Sequence, residues 1–147
     1  MNGMSLIVKR ITRYTVGLIF LYGIYIVLHG HLTPGGGFAG GVIIALSFIH
    51  IVLAFGKKEA VKNIPGKILS MGESLGGLFF LSLGLLGLTG GFFFYNFLRG
   101  MGIPFQLFSA GTIPLCNIAI GLKVGAGLFA IFMALSVFRL GGEDKSK

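Results

Sequence analysis

The sequence predicts an all-α integral membrane protein, a bundle of four transmembrane helices. Two observations predict this class: the 147 residues are 54% hydrophobic and only 11% charged, and four separate apolar runs are each long enough to cross a bilayer. A soluble domain carries about 25% charged residues, so these few charges cannot cover a surface that faces water. Membrane β-strands would be shorter and would alternate polar with apolar residues, and no run here alternates.

The predicted spans are about 11–28, 38–55, 68–98 and 115–138 of a single membrane domain, 1–147. Each approaches or exceeds the roughly 20 mostly apolar residues that a helix needs to cross the hydrocarbon core. The first run is followed by "HGHLTP" rather than by a small-residue cleavage site, so we expect a retained span rather than a signal peptide. The third run is longer than a straight span needs, so it is tilted, protrudes, or bends near Thr89-Gly90-Gly91.

Basic residues predict the orientation. Of the 12 lysines and arginines, all except Arg99 and Lys123 fall on one side of a four-span arrangement. They are Lys9, Arg10, Arg13, Lys57, Lys58, Lys62, Lys67, Arg139, Lys145 and Lys147. Cytoplasmic loops carry the excess of positive charge, so we expect a multi-pass protein of the plasma membrane with both termini cytoplasmic. The formal charge of +8 reflects this topology, and without a basic stripe and interleaved aromatics it does not predict nucleic-acid binding.

Glycine is abundant inside the spans, with 26 residues in the chain. Four pairs have the small-xxx-small spacing: Gly36/Gly40, Gly37/Gly41, Gly72/Gly76 and Gly121/Gly125. In lipid, close backbone approach through small residues drives helix association. Because these faces outnumber what four helices need among themselves, we expect extensive contact with other membrane subunits. The alternative is tight packing inside a compact four-helix protein.

Lys123 is an ionisable residue deep in the fourth span. It lies roughly 12 Å below the outer end of that span, where a charge costs several kcal/mol unless it is paired or hydrated. The residues on its helical face are small, so we expect this face to be buried against protein; they are Cys116, Ala119, Gly127, Ala130 and Ala134. A buried lysine can relay protons or repel cations. Otherwise it pairs with a carboxylate of a neighbouring subunit, or its ammonium group snorkels to the interface.

Four further ionisable residues are candidates for an ion route. His50, in span two, either exchanges protons near neutral pH or donates one hydrogen bond as a neutral imidazole. Glu73, at the start of span three, is either a capping carboxylate or part of an ion path. His29 and His31 lie at the outer mouth, where they belong to the path or are hydrated loop residues. Together with Lys123, these four residues lie at staggered depths across the bilayer, which is the arrangement that a proton or ion relay has.

Two segments resemble one protein family. "GHLTPGGGFAGG" (30–41) and "PLCNIAIGLKVGAG" (114–127) resemble the B subunit of the Mrp-type multisubunit Na+/H+ antiporters, and the equivalent subunit of membrane-bound hydrogenases and related sulfur-reducing complexes. The resemblance covers most of the chain. It implies an obligate subunit of a hetero-oligomeric complex in the lipid bilayer, beside antiporter-like subunits that move Na+ and H+. The motif residues are Pro34, Gly35, Gly36, Gly37, Gly40, Gly41, Asn117, Gly121 and Gly125.

The glycine-rich segment has two interpretations. Pro34 ends or bends the chain, and the glycines remove Cβ atoms at the start of span two, which leaves backbone N–H groups accessible. These groups could bind a partner loop, water or an ion. The alternative is a close helix–helix contact.

The leading hypothesis is a non-catalytic membrane subunit of a cation/proton-translocating complex, which contributes to subunit packing and to the ion route. The alternative is a purely structural scaffold of a redox-driven complex such as a membrane-bound hydrogenase. An independent enzyme has little support, because there is no HExxH, GxSxG, paired carboxylate or cofactor motif. With Cys116 as the single cysteine, we expect neither a metal nor a cofactor. The few intramembrane charges and the lack of an inverted repeat argue against a stand-alone transporter.

Overall fold

Four long α-helices form the protein in a computed structural model, which describes residues 4–56, 66–98, 100 and 109–143. They are α1 (Leu6–His29), α2 (Gly36–Phe55), α3 (Gly66–Gly87) and α4 (Ile113–Glu143). Each contains a stretch that is long and apolar enough to cross a membrane, which confirms the predicted class. Six basic residues that predict the orientation lie outside the described residues: Lys57, Lys58, Lys62, Arg99, Lys145 and Lys147. The orientation of the termini and the extent of the single domain therefore stay predictions.

The helices pack in the order α1, α2, α4, α3. α2 packs along both α1 and α4, and α4 packs along α3, whereas α1 and α4 touch only lightly. The core cluster joins α2, α3 and α4 through Ala45, Val52, Leu69 and Phe129. Since α1 and α3 are not packed together, the bundle is open along the side between them.

The glycine faces are used inside the chain. A methyl group built on Gly40 would approach the carbonyl oxygen of Gly23 in α1 to 2.9 Å, and one on Gly41 would approach the carbonyl oxygen of Gly121 in α4 to 2.8 Å. One on Gly76 in α3 would lie 2.9 Å from the Ala119 carbonyl oxygen. These glycine pairs therefore serve tight packing between helices of the chain.

The third helix is shorter than its predicted span. α3 ends at Gly87, a 3₁₀ turn follows at Leu88–Gly90, and Gly91 (φ 99°) lets the chain reverse. Phe94 then donates its N–H to the carbonyl oxygen of Gly84 (3.3 Å). Of the three alternatives for this run, a bend at Thr89-Gly90-Gly91 is the one observed, because α3 ends at Gly87 and does not continue to residue 98. The physical reason is that Gly84 and Gly87 lack Cβ atoms, so that the returning aromatic segment can lie directly on α3.

Candidate functional site: the motif contact and a charged groove

The turn between α1 and α2 depends on glycine backbone geometry. The carbonyl oxygen of His29 accepts the N–H groups of Leu32 (2.8 Å) and Thr33 (2.9 Å), which closes the end of α1. After Pro34, the chain passes through Gly35 (φ 141°) and Gly36 (φ 80°) before α2 continues. Residues that carry a side chain rarely adopt these backbone angles, whereas glycine adopts them readily. The "PGGG" sequence is therefore what the sharp entry into α2 requires.

Asn117 of α4 holds the start of α2. The N-cap residue of α2 is Gly35, which has no side chain to satisfy the first N–H groups of the helix. Instead, Gly37 donates its N–H to Oδ1 of Asn117 (3.3 Å). A carbonyl or carboxylate oxygen at this point satisfies a helix donor that is otherwise unpaired. The asparagine of the second motif thus supplies the cap that the glycines of the first motif lack.

The two motifs form one continuous contact, which we call the motif seam: Gly37 and Gly41 of α2 against Asn117, Gly121 and Gly125 of α4. A methyl group on Gly37 would overlap the backbone carbonyl of Asn117, and one on Gly125 would reach the carbonyl oxygen of Gly41 at 3.4 Å. Gly37 and Gly41 are buried, as are Gly121 and Gly125. Of the two interpretations of the glycine-rich segment, the close helix–helix contact is therefore present within the chain.

Glu73 and Lys123 lie in one groove on the exposed lateral surface of α3 and α4. The groove has a volume of about 370 Å³ and is lined by Glu73, Ser74, Gly77, Leu78, Leu81 and Lys123. Glu73 is about 10 Å along α3 from its first residue, and Lys123 about 15 Å along α4. Both side chains are exposed in the single chain. We call this feature the charged groove.

Each charged side chain in the groove faces a glycine of the opposite helix. A methyl group on Gly77 would lie 3.3 Å from Nζ of Lys123, and one on Gly127 would lie 3.8 Å from Cδ of Glu73. The two charges are therefore offset by about one helical turn, and no ion pair joins these two described residues. The two glycines provide the space into which an ammonium and a carboxylate group fit.

The expected burial of the Lys123 face needs a correction. Its backbone and Cβ do pack on α3, where a methyl group on Gly76 would lie 3.0 Å from Cβ of Lys123. Beyond Cβ the side chain runs over Gly77 of α3, where a methyl group would lie 4.0 Å from Cδ and 3.3 Å from Nζ, and the residue as a whole is exposed. The small residues on that face allow α3 to approach closely, and they do not enclose the ammonium group.

The three histidines do not line the charged groove. His50 is half-buried on α2, one turn after the fully buried Ser47. His29 places its ring 4.1 Å from that of Tyr25 in a stacked pair, and its Nδ1 lies 3.2 Å from the Tyr25 carbonyl oxygen. His31 is half-buried in the turn. The structure thus brings together Glu73 and Lys123 of the five ion-route candidates.

Gly77 was not predicted as a site residue, and Gly127 was not predicted to lie opposite Glu73. Both lie four residues from a charged residue of their own helix, Gly77 after Glu73 and Gly127 after Lys123. This charged-xxx-glycine spacing puts each glycine on the same helical face as the charge. The pattern is visible in the sequence, but the pairing of α3 with α4 that makes it meaningful is not.

Comparison with known proteins identifies the family. The model of a family described as "Domain related to MnhB subunit of Na+/H+ antiporter" matches residues 7–130, which include three complete or nearly complete helices and most of α4. The chain belongs to this MnhB-related family. The match includes the motif seam and the charged groove, and it confirms the resemblance drawn from the two motifs.

Several relatives resemble this MnhB-related chain. An uncharacterised protein of Methanocaldococcus jannaschii is 43% identical over 136 residues, covering 88% of this chain and 52% of that protein. A Staphylococcus epidermidis protein named as antiporter subunit mnhB2 is 38% identical over 61 residues, covering 42% of this chain and 43% of that protein. The chain therefore spans about half the length of the curated relatives it matches.

One solved structure has a similar fold. It is a chain of the membrane-bound sulfane sulfur reductase, an archaeal respiratory membrane complex, with a TM-score of 0.77 and 36% identity. The similarity covers 89% of this MnhB-related chain and 57% of that chain. This chain is thus similar to a chain of a respiratory membrane complex as well as to a protein named as an antiporter subunit.

Proposed function

We propose that this chain is a membrane subunit of a multisubunit cation/proton-translocating complex of the Na+/H+ antiporter type. Membership of the MnhB-related family supports this function, and so does the similarity to a chain of a respiratory membrane complex. The chain contributes to packing between subunits, and it has no catalytic role of its own. Its partners are other membrane subunits of the same complex, and the translocated ions are Na+ and H+.

The charged groove is the observation that carries the proposal. Glu73 and Lys123 are exposed on helices that are long and apolar enough to cross a membrane, well inside the ends of those helices. A charged side chain facing hydrocarbon costs several kcal/mol, and such residues normally face protein or water. The lateral surface of α3 and α4 that carries the groove is therefore covered by another subunit. The groove borders a hydrated part of the ion route.

The alternative function is a purely structural scaffold. The specific observation that favours it is the motif seam, because its glycines join α2 to α4 and do not line the charged groove. A scaffold would still need a partner over the charged groove, but Lys123 would then serve only to anchor a neighbouring carboxylate. The two functions differ in what Lys123 does during transport.

Variants of Lys123 separate these functions. For a Lys123→Ala complex we expect a normal size on native gels, and a loss of cation-coupled proton movement in inside-out vesicles. The loss should be about tenfold or more, because a hydrogen bond to a charged group is worth about 1.5–3 kcal/mol. Lys123→Arg should restore little transport, because arginine does not release its proton at accessible pH.

A matched control is Lys67→Ala, since Lys67 is exposed on the first turn of α3 and does not line the groove. It should transport normally. Full transport by an assembled Lys123→Ala complex would refute the ion-route function. If Lys123→Arg restores both assembly and transport while alanine damages both, Lys123 is an anchor and the scaffold function is correct.

A further inference from the structure

A second cavity lies on the opposite side of α4 from the charged groove. It is an apolar cleft of about 690 Å³ to which all four helices contribute. Its α1 wall includes Phe20, Ile24 and Val27, and its α3 wall includes Ile68 and Gly72. Because α1 and α3 are not packed together, the cleft opens to the outside between them.

The cleft continues along α1 to a basic residue. Arg13, Phe20, Ile24 and Val27 are spaced by seven, four and three residues, which puts them on one helical face. Gly17 lies between Arg13 and Phe20 on that face, and a methyl group there would meet nothing within 4 Å. The surface of α1 is therefore uncovered at Gly17, within the roughly 10 Å that separate Phe20 from Arg13.

Arg13 is suited to bind a phosphate group. It is exposed, and its guanidinium carbon lies 5.7 Å from the centre of the Phe55 ring, which holds it near the end of α2. No ion pair links it to a carboxylate among the described residues. A guanidinium presents paired N–H donors that match phosphate oxygens.

We infer that the cleft and Arg13 together bind one phospholipid, with the phosphate on Arg13 and an acyl chain along Gly17 into the cleft. The cleft is open between α1 and α3, so an acyl chain can enter it from the surrounding bilayer. A helix of a partner subunit is the alternative occupant, and crosslinking distinguishes the two. An acyl chain is slender enough to enter, and a lining without charged side chains suits it.

Photocrosslinking of the whole complex tests this inference. The purified complex is reconstituted into vesicles of phosphatidylethanolamine and phosphatidylglycerol that carry a trace of phosphatidylglycerol with a diazirine in one acyl chain. We expect crosslinks to cleft residues such as Ile24 and Leu122. Arg13→Gln and Gly17→Leu should each lower this crosslinking several-fold, the first by removing the phosphate contact and the second by blocking the path.

Two controls make the outcome clear. Leu18→Phe adds bulk to an exposed face of α1 that does not line the cleft, and it should leave crosslinking unchanged, while Arg13→Lys should retain part of it. Crosslinking that is unaffected by both Arg13→Gln and Gly17→Leu would overturn the inference. So would a crosslink between a cysteine placed at Ile24 and a helix of another subunit. Neither result depends on whether Lys123 takes part in transport.

Discussion

At the scale of single residues, Asn117 shows how one motif completes the other. Its Oδ1 accepts the N–H of Gly37 across the α2–α4 contact. Its Nδ2 is buried and has no hydrogen-bond partner in the described part of the chain. The Oδ1 atom is thus the one that stabilises the structure, because it accepts a hydrogen bond at the N-terminal end of α2, where the N-cap residue is Gly35.

This geometry predicts the effect of two substitutions. Asn117→Ala should lower the free energy of unfolding by about 1 kcal/mol, the usual value of a helix cap. Asn117→Asp should retain more stability than alanine, because a carboxylate keeps the acceptor oxygen and is favoured at a helix N-terminus. Thermal unfolding of the two variants in the same detergent would measure the difference. Equal stability of wild type and Asn117→Ala would mean that the cap contributes nothing.

The sequence predicted Glu73 and Lys123 as ion-route candidates, but not that they share a groove. Their depths follow from counting residues along each span, whereas their lateral positions depend on which helices are neighbours. That choice is made by contacts such as Gly76 on Ala119, which apolar spans of similar composition do not reveal. The same limit explains why the three histidines were placed in one relay with them.

At the scale of helices, the motif seam is where added volume is least tolerated. Gly37→Leu should lower stability by about 1–3 kcal/mol or more and yield little intact complex, because its Cβ would overlap the Asn117 backbone. Gly66→Leu is the matched control, since Gly66 is also a helical glycine and a methyl group there would meet nothing within 4 Å. Native gels of membranes expressing each variant would show the contrast. Normal complexes with Gly37→Leu would contradict the observed packing of α2 on α4.

The helices could be predicted from hydropathy because a membrane span must be long and apolar. The predicted starts of the first two spans differ from the helix starts by five and two residues, since Lys9 and Arg10 interrupt the apolar start of α1 and the glycines of α2 carry little hydropathy signal. The end of α3 could not be predicted in the same way. Residues 92–98 are as apolar as a span, and only the contacts of Phe94 with Gly84 and Phe80 show that they turn back.

At the scale of the whole molecule, the distribution of basic residues predicts a topology. We expect both termini and the segment 57–67 on the cytoplasmic side, and His31 and Arg99 on the outer side. Single cysteines at positions 62 and 99, in a Cys116→Ser background, can be treated with a membrane-impermeant maleimide on intact cells. Position 99 should react and position 62 should be protected. The reverse pattern would invert the arrangement.

The proposed function requires that the chain is one subunit among several. Two observations point that way: the MnhB-related family, and a charged groove that lipid cannot cover at low cost. A single chain of 15.6 kDa that worked alone would have to expose Glu73 and Lys123 to hydrocarbon.

Purification of the affinity-tagged chain from its native membranes in a mild detergent tests this claim most directly. The account predicts a particle on native gels far larger than one 15.6 kDa chain, containing other membrane proteins in fixed proportion. Antiporter subunits alone would indicate a secondary transporter, whereas hydrogenase or sulfur-reducing subunits would indicate a redox-driven machine. A chain that purifies only as a monomer or with copies of itself, from membranes where it is functional, would contradict the account.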